Sequence, residues 1–211
     1  MMFSDRADAG KQLAIQLEKY RNSKDALLYA LPRGGVVVAH EAAKALGLPL
    51  DVLIVRKVGH PSSPEYAIGA YAETGDILWN EEEKQLLDEK IINGIVDQAQ
   101  DEAEERIRLY RQGKKLPSFK NKTIIIVDDG IATGLTMRGA IQAAKKNNAQ
   151  KIIVAVPHGA RDSLKKIREE ADEVICLTEP YWYYAVGQFY ESFPQTTHEE
   201  VIQILKTYGQ K

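Results

Sequence analysis

The 211-residue chain predicts an α/β fold built on a parallel sheet with helices on both faces. Three observations support this. Short, continuously apolar runs such as 123–127 and 152–156 have the composition of strands buried on both sides. Each is followed by a turn and then by a stretch with helical periodicity. The charged and glycine-rich residues gather in those turns, at the carboxyl ends of the strands, where such a sheet binds its ligands.

In chain order, Leu13, Leu17 and Tyr20, with Ala9 before them, give an amphipathic helix over 5–20, capped by Ser4 or Asp5. Residues 26–31 form a strand, interrupted by Pro32-Arg33-Gly34-Gly35, and 36–46 form a helix that Gly47 ends. The next strand is 51–55. Residues 56–75, rich in Gly, Pro and Ser, read as a long loop with two short strand-like pieces; a loop of that length inside a compact domain is usually functional. In 81–112, Leu87, Ile91, Ile95, Ala99, Ala103 and Ile107 recur every four residues, which predicts one long helix with a single apolar stripe. Gly94 is a kink point, and the dense charges are a solvated face. Strand 123–127 leads to helix 135–146, strand 152–156 to helix 161–170, and 174–177 is the last parallel strand. Aromatics crowd 180–194, and helix 197–208 closes the chain.

Composition excludes several classes. Lys and Arg total 28 against 30 Asp and Glu, a balance unlike the basic footprint of a duplex-binding protein. The single cysteine, Cys176, rules out an internal disulfide and a cysteine-based zinc site. Its apolar neighbours make it a buried thiol rather than a nucleophile. The polar N-terminal residues lack a signal-peptide core, and no apolar run is long enough to span a bilayer. The expectation is a cytoplasmic protein with no nucleic-acid or membrane partner.

The most informative segment is Ile124-Ile125-Ile126-Val127-Asp128-Asp129-Gly130-Ile131-Ala132-Thr133-Gly134-Leu135-Thr136. Asp128 and Asp129 leave a buried strand at the ligand edge. The turn at 132–136 runs into a helix, so its backbone N–H groups and the helix N-terminus form an anion site. Thr133 and Thr136 add hydroxyls, and Gly134 permits close approach. Acids beside a phosphate cradle suit a sugar phosphate, with the carboxylates accepting from the ribose diol. A paired-acid strand end also occurs in Walker B motifs and receiver domains. The first needs a Gly-x-x-x-x-Gly-Lys-Ser/Thr loop that this chain lacks, and the second does not need Thr-Gly-x-Thr. Phosphoryl-transfer signalling through Asp128 is the weakest reading.

This segment closely resembles the phosphoribosyl pyrophosphate signature of type I phosphoribosyltransferases. The resemblance implies the type I fold: a central parallel sheet flanked by helices, a flexible lid at 57–76 and a small aromatic-rich hood from 179–195 plus terminal elements. It also implies that Asp128 and Asp129 hold the ribose hydroxyls and, through the substrate, magnesium. Ala132, Thr133, Gly134, Leu135 and Thr136 would then wrap the 5-phosphate. Leu31-Pro32-Arg33-Gly34-Gly35 looks like the family's pyrophosphate loop. There Arg33 supplies forked donors, Gly34 and Gly35 admit backbone amides, and a cis peptide would fall at Pro32–Arg33. Arg56-Lys57-Val58-Gly59 resembles the Arg-Lys of adenine and orotate enzymes and puts Lys57 against pyrophosphate. Ala132 stands where 6-oxopurine enzymes carry a basic Asp, so a proton-transfer group, if the reaction needs one, must come from elsewhere. Glu65 and Glu73 are the candidates, each with the plainer alternative of a solvated carboxylate. Tyr183-Tyr184-Ala185-Val186-Gly187 resembles the base-stacking stretch of hypoxanthine-guanine enzymes. Tyr184 or Tyr183 would stack on the base, or the aromatics would form hood core or a dimer contact. End to end, the chain resembles a bacterial group of phosphoribosyltransferases with an Ala-Leu-Pro-Arg-Gly-Gly start. The implied activity is magnesium-dependent transfer of ribose 5-phosphate to a nitrogen base, purine-like first of all, by a homodimer. The alternative is a weakly catalytic regulator on the same fold that binds a nucleotide or the sugar pyrophosphate.

Overall fold

A computed structural model describes residues 2–208, apart from the side chains of residues 64 and 65. Helix α1 (Arg6–Gln16) starts where Asp5 accepts from the Asp8 amide, as the sequence predicts, and a 3-10 turn (Glu18–Tyr20) follows it. Strand β1 (Ala26–Ala30) then leads into α2 (Gly34–Leu46). Strands β1, β2 (Leu50–Val52), β6 (Thr123–Val127), β7 (Lys151–His158) and β8 (Glu173–Thr178) form one parallel sheet in the order β2-β1-β6-β7-β8. Alternate strand residues supply two cores. Leu28, Ala30, Ile125, Val127 and Ile153 meet α1, α2 and α7 (His198–Lys206) on one face. Ile124, Ile126, Ile152 and Val154 meet α5 (Leu135–Lys146) and α6 (Arg161–Glu170) on the other. The strands are apolar on both sides because both sides are covered.

This order has a functional consequence. From β1 the chain moves outward to β2, and from β6 it moves outward the other way to β7, so the order reverses between β1 and β6. Ala30 pairs with Val127, and the two turns that follow leave the sheet side by side at the switch point.

Two expectations need correction. Residues 51–55 are not one strand: β2 ends at Val52, Leu53 and Ile54 cross the core fully buried, and Val55 begins a second sheet. That sheet, β3 (Val55–His60), β4 (Ser63–Ala72) and β5 (Ile77–Trp79), is antiparallel and occupies the stretch expected to be a loop. Its glycines do not signal a loop. Gly69 sits in β4, where a Cβ would crowd the Trp79 ring and Val58. Buried Val58, Ile68, Ala70 and Ala72 supply the period-two face. The second correction is the long helix. A short α3 (Glu81–Lys84) ends before Asp88, whose carboxylate caps α4 (Glu89–Arg111) by accepting from the Lys90 amide at 2.8 Å. Gly94 lies inside α4, which continues through it. Among the described residues no helix is long and apolar enough to cross a membrane.

The N-terminal residues and the aromatic tail meet over the ligand edge. Phe3 donates its amide to the Phe189 carbonyl and accepts from the Glu191 amide, both at 2.8 Å. Phe3, Ala9, Phe189 and Tyr190 form a small third core.

Candidate active site

The two sequence motifs meet at the switch point. The glycines after β1 lie against the acids after β6. A Cβ on Gly34 would collide with the Asp129 carboxylate and lie 2.8 Å from Arg6 Nε. A Cβ on Gly35 would lie 2.9 Å from Asp128 Cα and from Asp128 Oδ1. Only residues without side chains let the two turns approach this closely. The Pro32–Arg33 peptide is cis, as expected.

Asp128 and Asp129 emerge half-buried from β6. Asp128 Oδ1 accepts the Asp129 amide at 2.9 Å. Burial and the neighbouring Asp129 push the Asp128 carboxyl well above its usual range. Burial also raises Asp129, but Arg6 opposes it. Arg6 was not foreseen from the sequence. Its Nε donates to Asp129 Oδ2 at 2.7 Å, its Nη1 donates to the Pro194 carbonyl at 2.7 Å, and its guanidinium lies 3.7 Å from the Phe193 ring centroid. One buried side chain thus joins the N-terminal helix, the acids and the aromatic tail. The available signal was a cation in the first turn of a helix, where the macrodipole disfavours it unless a tertiary partner compensates.

Beyond the acids, Gly130 packs under His158, and a Cβ there would collide with the imidazole. Buried His158 shares a 2.9 Å hydrogen bond between Nδ1 and the Tyr183 hydroxyl, and burial lowers its pKa to about 4, so the ring is neutral. The Tyr190 hydroxyl donates to the Asp129 carbonyl at 2.6 Å and fixes the turn. Gly134 caps α5 with φ of 76°, a left-handed conformation that a side chain would strain. Ser163 Oγ donates to the Ala132 carbonyl at 2.5 Å, so that oxygen points into the protein. Among the described residues, none of the amides of residues 132–136 donates to a protein acceptor. Ala132 and Thr133 are exposed, while Leu135 and Thr136 are half-buried.

Thr136 also lines a cleft of about 830 Å³ with Arg33, Arg56, Lys57 and Arg106. Arg56 is ion-paired to Glu102; among the described residues Arg33, Lys57 and Arg106 have no such partner. Arg106 belongs to α4, whose charges were expected to be a solvated face. It is half-buried, and burial together with the guanidiniums of Arg56 and Arg33 holds its pKa below the usual arginine range.

The remaining predicted residues are dispersed. Tyr184 projects outward, 80% exposed, whereas Tyr183 turns inward to His158 and Phe189. Glu65 falls in β4, and its side chain lies outside the described residues. Glu73 is not a solvated or poised carboxylate. Its side chain is only 2% exposed, ion-paired with Arg111 and accepting from the Ile54 amide at 2.8 Å. Among the described residues no three His, Cys, Asp or Glu side chains converge on a metal-sized site. Burial pushes the Cys176 thiol up to about 12, so it stays protonated.

Known proteins resemble this chain over most of its length. A Mycobacterium tuberculosis protein provisionally named phosphoribosyl transferase Rv0571c is 41% identical over 206 residues, 97% of this chain, although the chain spans only 46% of that relative's length. A ribose-phosphate pyrophosphokinase of Pyrococcus furiosus is 28% identical over 154 residues, covering 62% of this chain and 54% of that protein. The crystal structure of TT1426 from Thermus thermophilus superposes over 100% of both chains with a TM-score of 0.84 at 34% identity. The family model described as phosphoribosyl transferase domain matches residues 4–193, which take in the glycine turn, both acids, the amide-lined turn and most of the aromatic tail. The chain is therefore a member of the phosphoribosyl transferase domain family.

Proposed function

We propose that the protein transfers ribose 5-phosphate from 5-phosphoribosyl 1-pyrophosphate to a nitrogen base, with a purine-like acceptor first among candidates, and releases pyrophosphate. One observation carries the reading: the glycines after β1 touch the acids after β6, beside an amide-lined turn and a basic cleft that share Thr136. A sugar carrying phosphate at one end and diphosphate at the other has that sequence of charges.

In this reading the amides of 132–136 hold the 5-phosphate, with the hydroxyls of Thr133 and Thr136. Asp128 and Asp129 accept from the ribose hydroxyls, and Arg6 keeps Asp129 oriented. The amides of Gly34 and Gly35, Arg33 and Lys57 receive the diphosphate. As C1 loses its leaving group, charge grows on the diphosphate oxygens, and Arg33 and Lys57 neutralise it. The acid pair fits magnesium held indirectly, through the bound ribose diol: two half-buried carboxylates with raised pKa values would favour a nearby cation. When bound, magnesium supplies charge neutralisation to the leaving group. The β3–β4 hairpin, which carries Glu65, serves as the lid that excludes water, and Tyr184 offers a stacking face to the base. The regulator alternative shares the binding half of this scheme and lacks the turnover.

The test pairs binding with chemistry. Calorimetry should show magnesium-dependent binding of 5-phosphoribosyl 1-pyrophosphate that falls by about a hundredfold or more in Asp128→Asn with Asp129→Asn, since both ionic acceptors of the diol are lost. Wild-type affinity in the double variant refutes the assignment. A panel of bases with labelled sugar pyrophosphate, scored for pyrophosphate release, then identifies the acceptor. Binding without release under every base favours the regulator.

A further inference from the structure

The basic cleft holds more positive charge than the sequence motifs supply. Arg33 and Lys57 come from the recognised turns, whereas Arg106 comes from α4, between the second sheet and β6. Ile95, Gln98, Ala99, Glu102 and Arg106 all line the cleft. Their spacing of three and four residues makes them one face of α4. Arg106 therefore sits on the inward stripe of this helix. Its neighbour one turn back, Glu102, is engaged with Arg56.

The charge count is unbalanced. Four cations, Arg33, Arg56, Lys57 and Arg106, face one carboxylate, Glu102, so the cleft carries a net +3 among its described acidic and strongly basic residues. Glu102 answers Arg56 and leaves the other three. Two of those, Arg33 and Arg106, are half-buried, where like charges repel with little water to screen them. A folded protein does not gain stability from such an arrangement; it makes sense when a polyanion completes it. Arginine suits the task because its planar fork meets two phosphate oxygens at once.

The geometry points to Arg106 as a leaving-group-binding residue: it reaches the diphosphate from α4 in the cleft it shares with Arg33, while Glu102 holds Arg56 in place beside them. This rests on the function proposed above and adds a residue from outside the family's motifs. It also assigns α4 a role beyond covering the second sheet.

The test separates the two ends of the substrate. The full chain is titrated with magnesium pyrophosphate and, separately, with ribose 5-phosphate, comparing wild type, Arg106→Gln, Arg106→Lys and the exposed control Arg108→Gln. Arg106→Gln should weaken pyrophosphate roughly tenfold to a hundredfold while leaving ribose 5-phosphate within about twofold. Arg106→Lys, which keeps the charge and loses the fork, should fall in between and serves as the readout if the glutamine variant does not fold. Arg108→Gln should match wild type. Unchanged pyrophosphate affinity in both Arg106 variants overturns the inference, as does an equal loss for both ligands. A wild type that binds ribose 5-phosphate but no pyrophosphate overturns the proposed leaving-group site as a whole. By contrast, a wild type that binds pyrophosphate, with variants that bind it equally well, removes Arg106 alone.

Discussion

The turn after β6 draws its acids, its hydroxyls and the amides of 132–136, unpartnered among the described residues, from one consecutive stretch, 128–136. The cleft beside it draws its cations from three distant segments, the turn after β1, strand β3 and helix α4. The first region is built from local geometry, a strand end, one left-handed glycine and a helix start, and distant Arg6, Ser163 and Tyr190 only brace it. The second depends on how the small antiparallel sheet and α4 are anchored, and the anchor is the buried ion pair of Glu73 and Arg111 between the ends of β4 and α4. A contiguous site survives as long as its own turn does, whereas an assembled site is only as sound as its anchors.

The largest expected effect tests that difference directly. Glu73→Gln keeps an acceptor for the Ile54 amide but removes the ion-pair partner of the buried Arg111 guanidinium, which then has only the charge of nearby Asp51. Breaking such a pair costs roughly 3–5 kcal/mol, read as a shift in the urea midpoint. Ribose 5-phosphate should still bind to the folded fraction, while pyrophosphate weakens. If both ligands weaken alike, the two regions form a single unit and the contrast fails. Arg33→Ala acts within the assembled region alone. It should lower turnover by roughly tenfold to a hundredfold and leave affinity for the nucleotide product within about twofold, because the product has no diphosphate. An unchanged rate in steady-state assays removes Arg33 from the leaving-group site.

The same contrast explains what the sequence made legible. Strand 123–127, helix 135–146 and helix 161–170 fall where periodicity puts them, since each is decided by residues adjacent in the chain. The acids and the amide turn were legible for the same reason. That Gly34 would touch Asp129 was not, because it depends on β1 pairing with β6, nearly a hundred residues away in the chain. Arg106 was hidden by its surroundings: in a helix crowded with charges, one cation facing inward looks like its solvated neighbours until the packing of α4 on β3 is known. Glu73 misled in the opposite direction. A carboxylate in a Gly- and Pro-rich stretch reads as exposed, yet it is sealed under the second sheet by an arginine 38 positions later. Tyr183 and Tyr184 are neighbours with similar surroundings in sequence, and only the fold of the tail sends one to His158 and the other to solvent.

The smallest expected effect lies in the contiguous region and concerns its cost to stability. The folded protein holds the Asp128 carboxyl well above its usual range, through burial and the adjacent Asp129. Raised in the folded state, this carboxyl contributes stability at pH values below its unfolded pKa, and the contribution is lost as pH rises through the folded value. Wherever Asp128 is ionised in the folded protein, it therefore opposes folding. Asp128→Asn keeps an oxygen for the Asp129 amide and removes that opposition. The variant should melt above wild type at neutral pH in a thermal scan, with the gap closing as pH falls through the folded carboxyl's titration. The same variant should bind the sugar pyrophosphate poorly. A carboxylate that costs stability when empty and is needed for binding is retained for its ligand. A wild type that melts higher than the variant at neutral pH would instead make Asp128 a structural acid, and the turn after β6 would then depend on its packing as much as the cleft does.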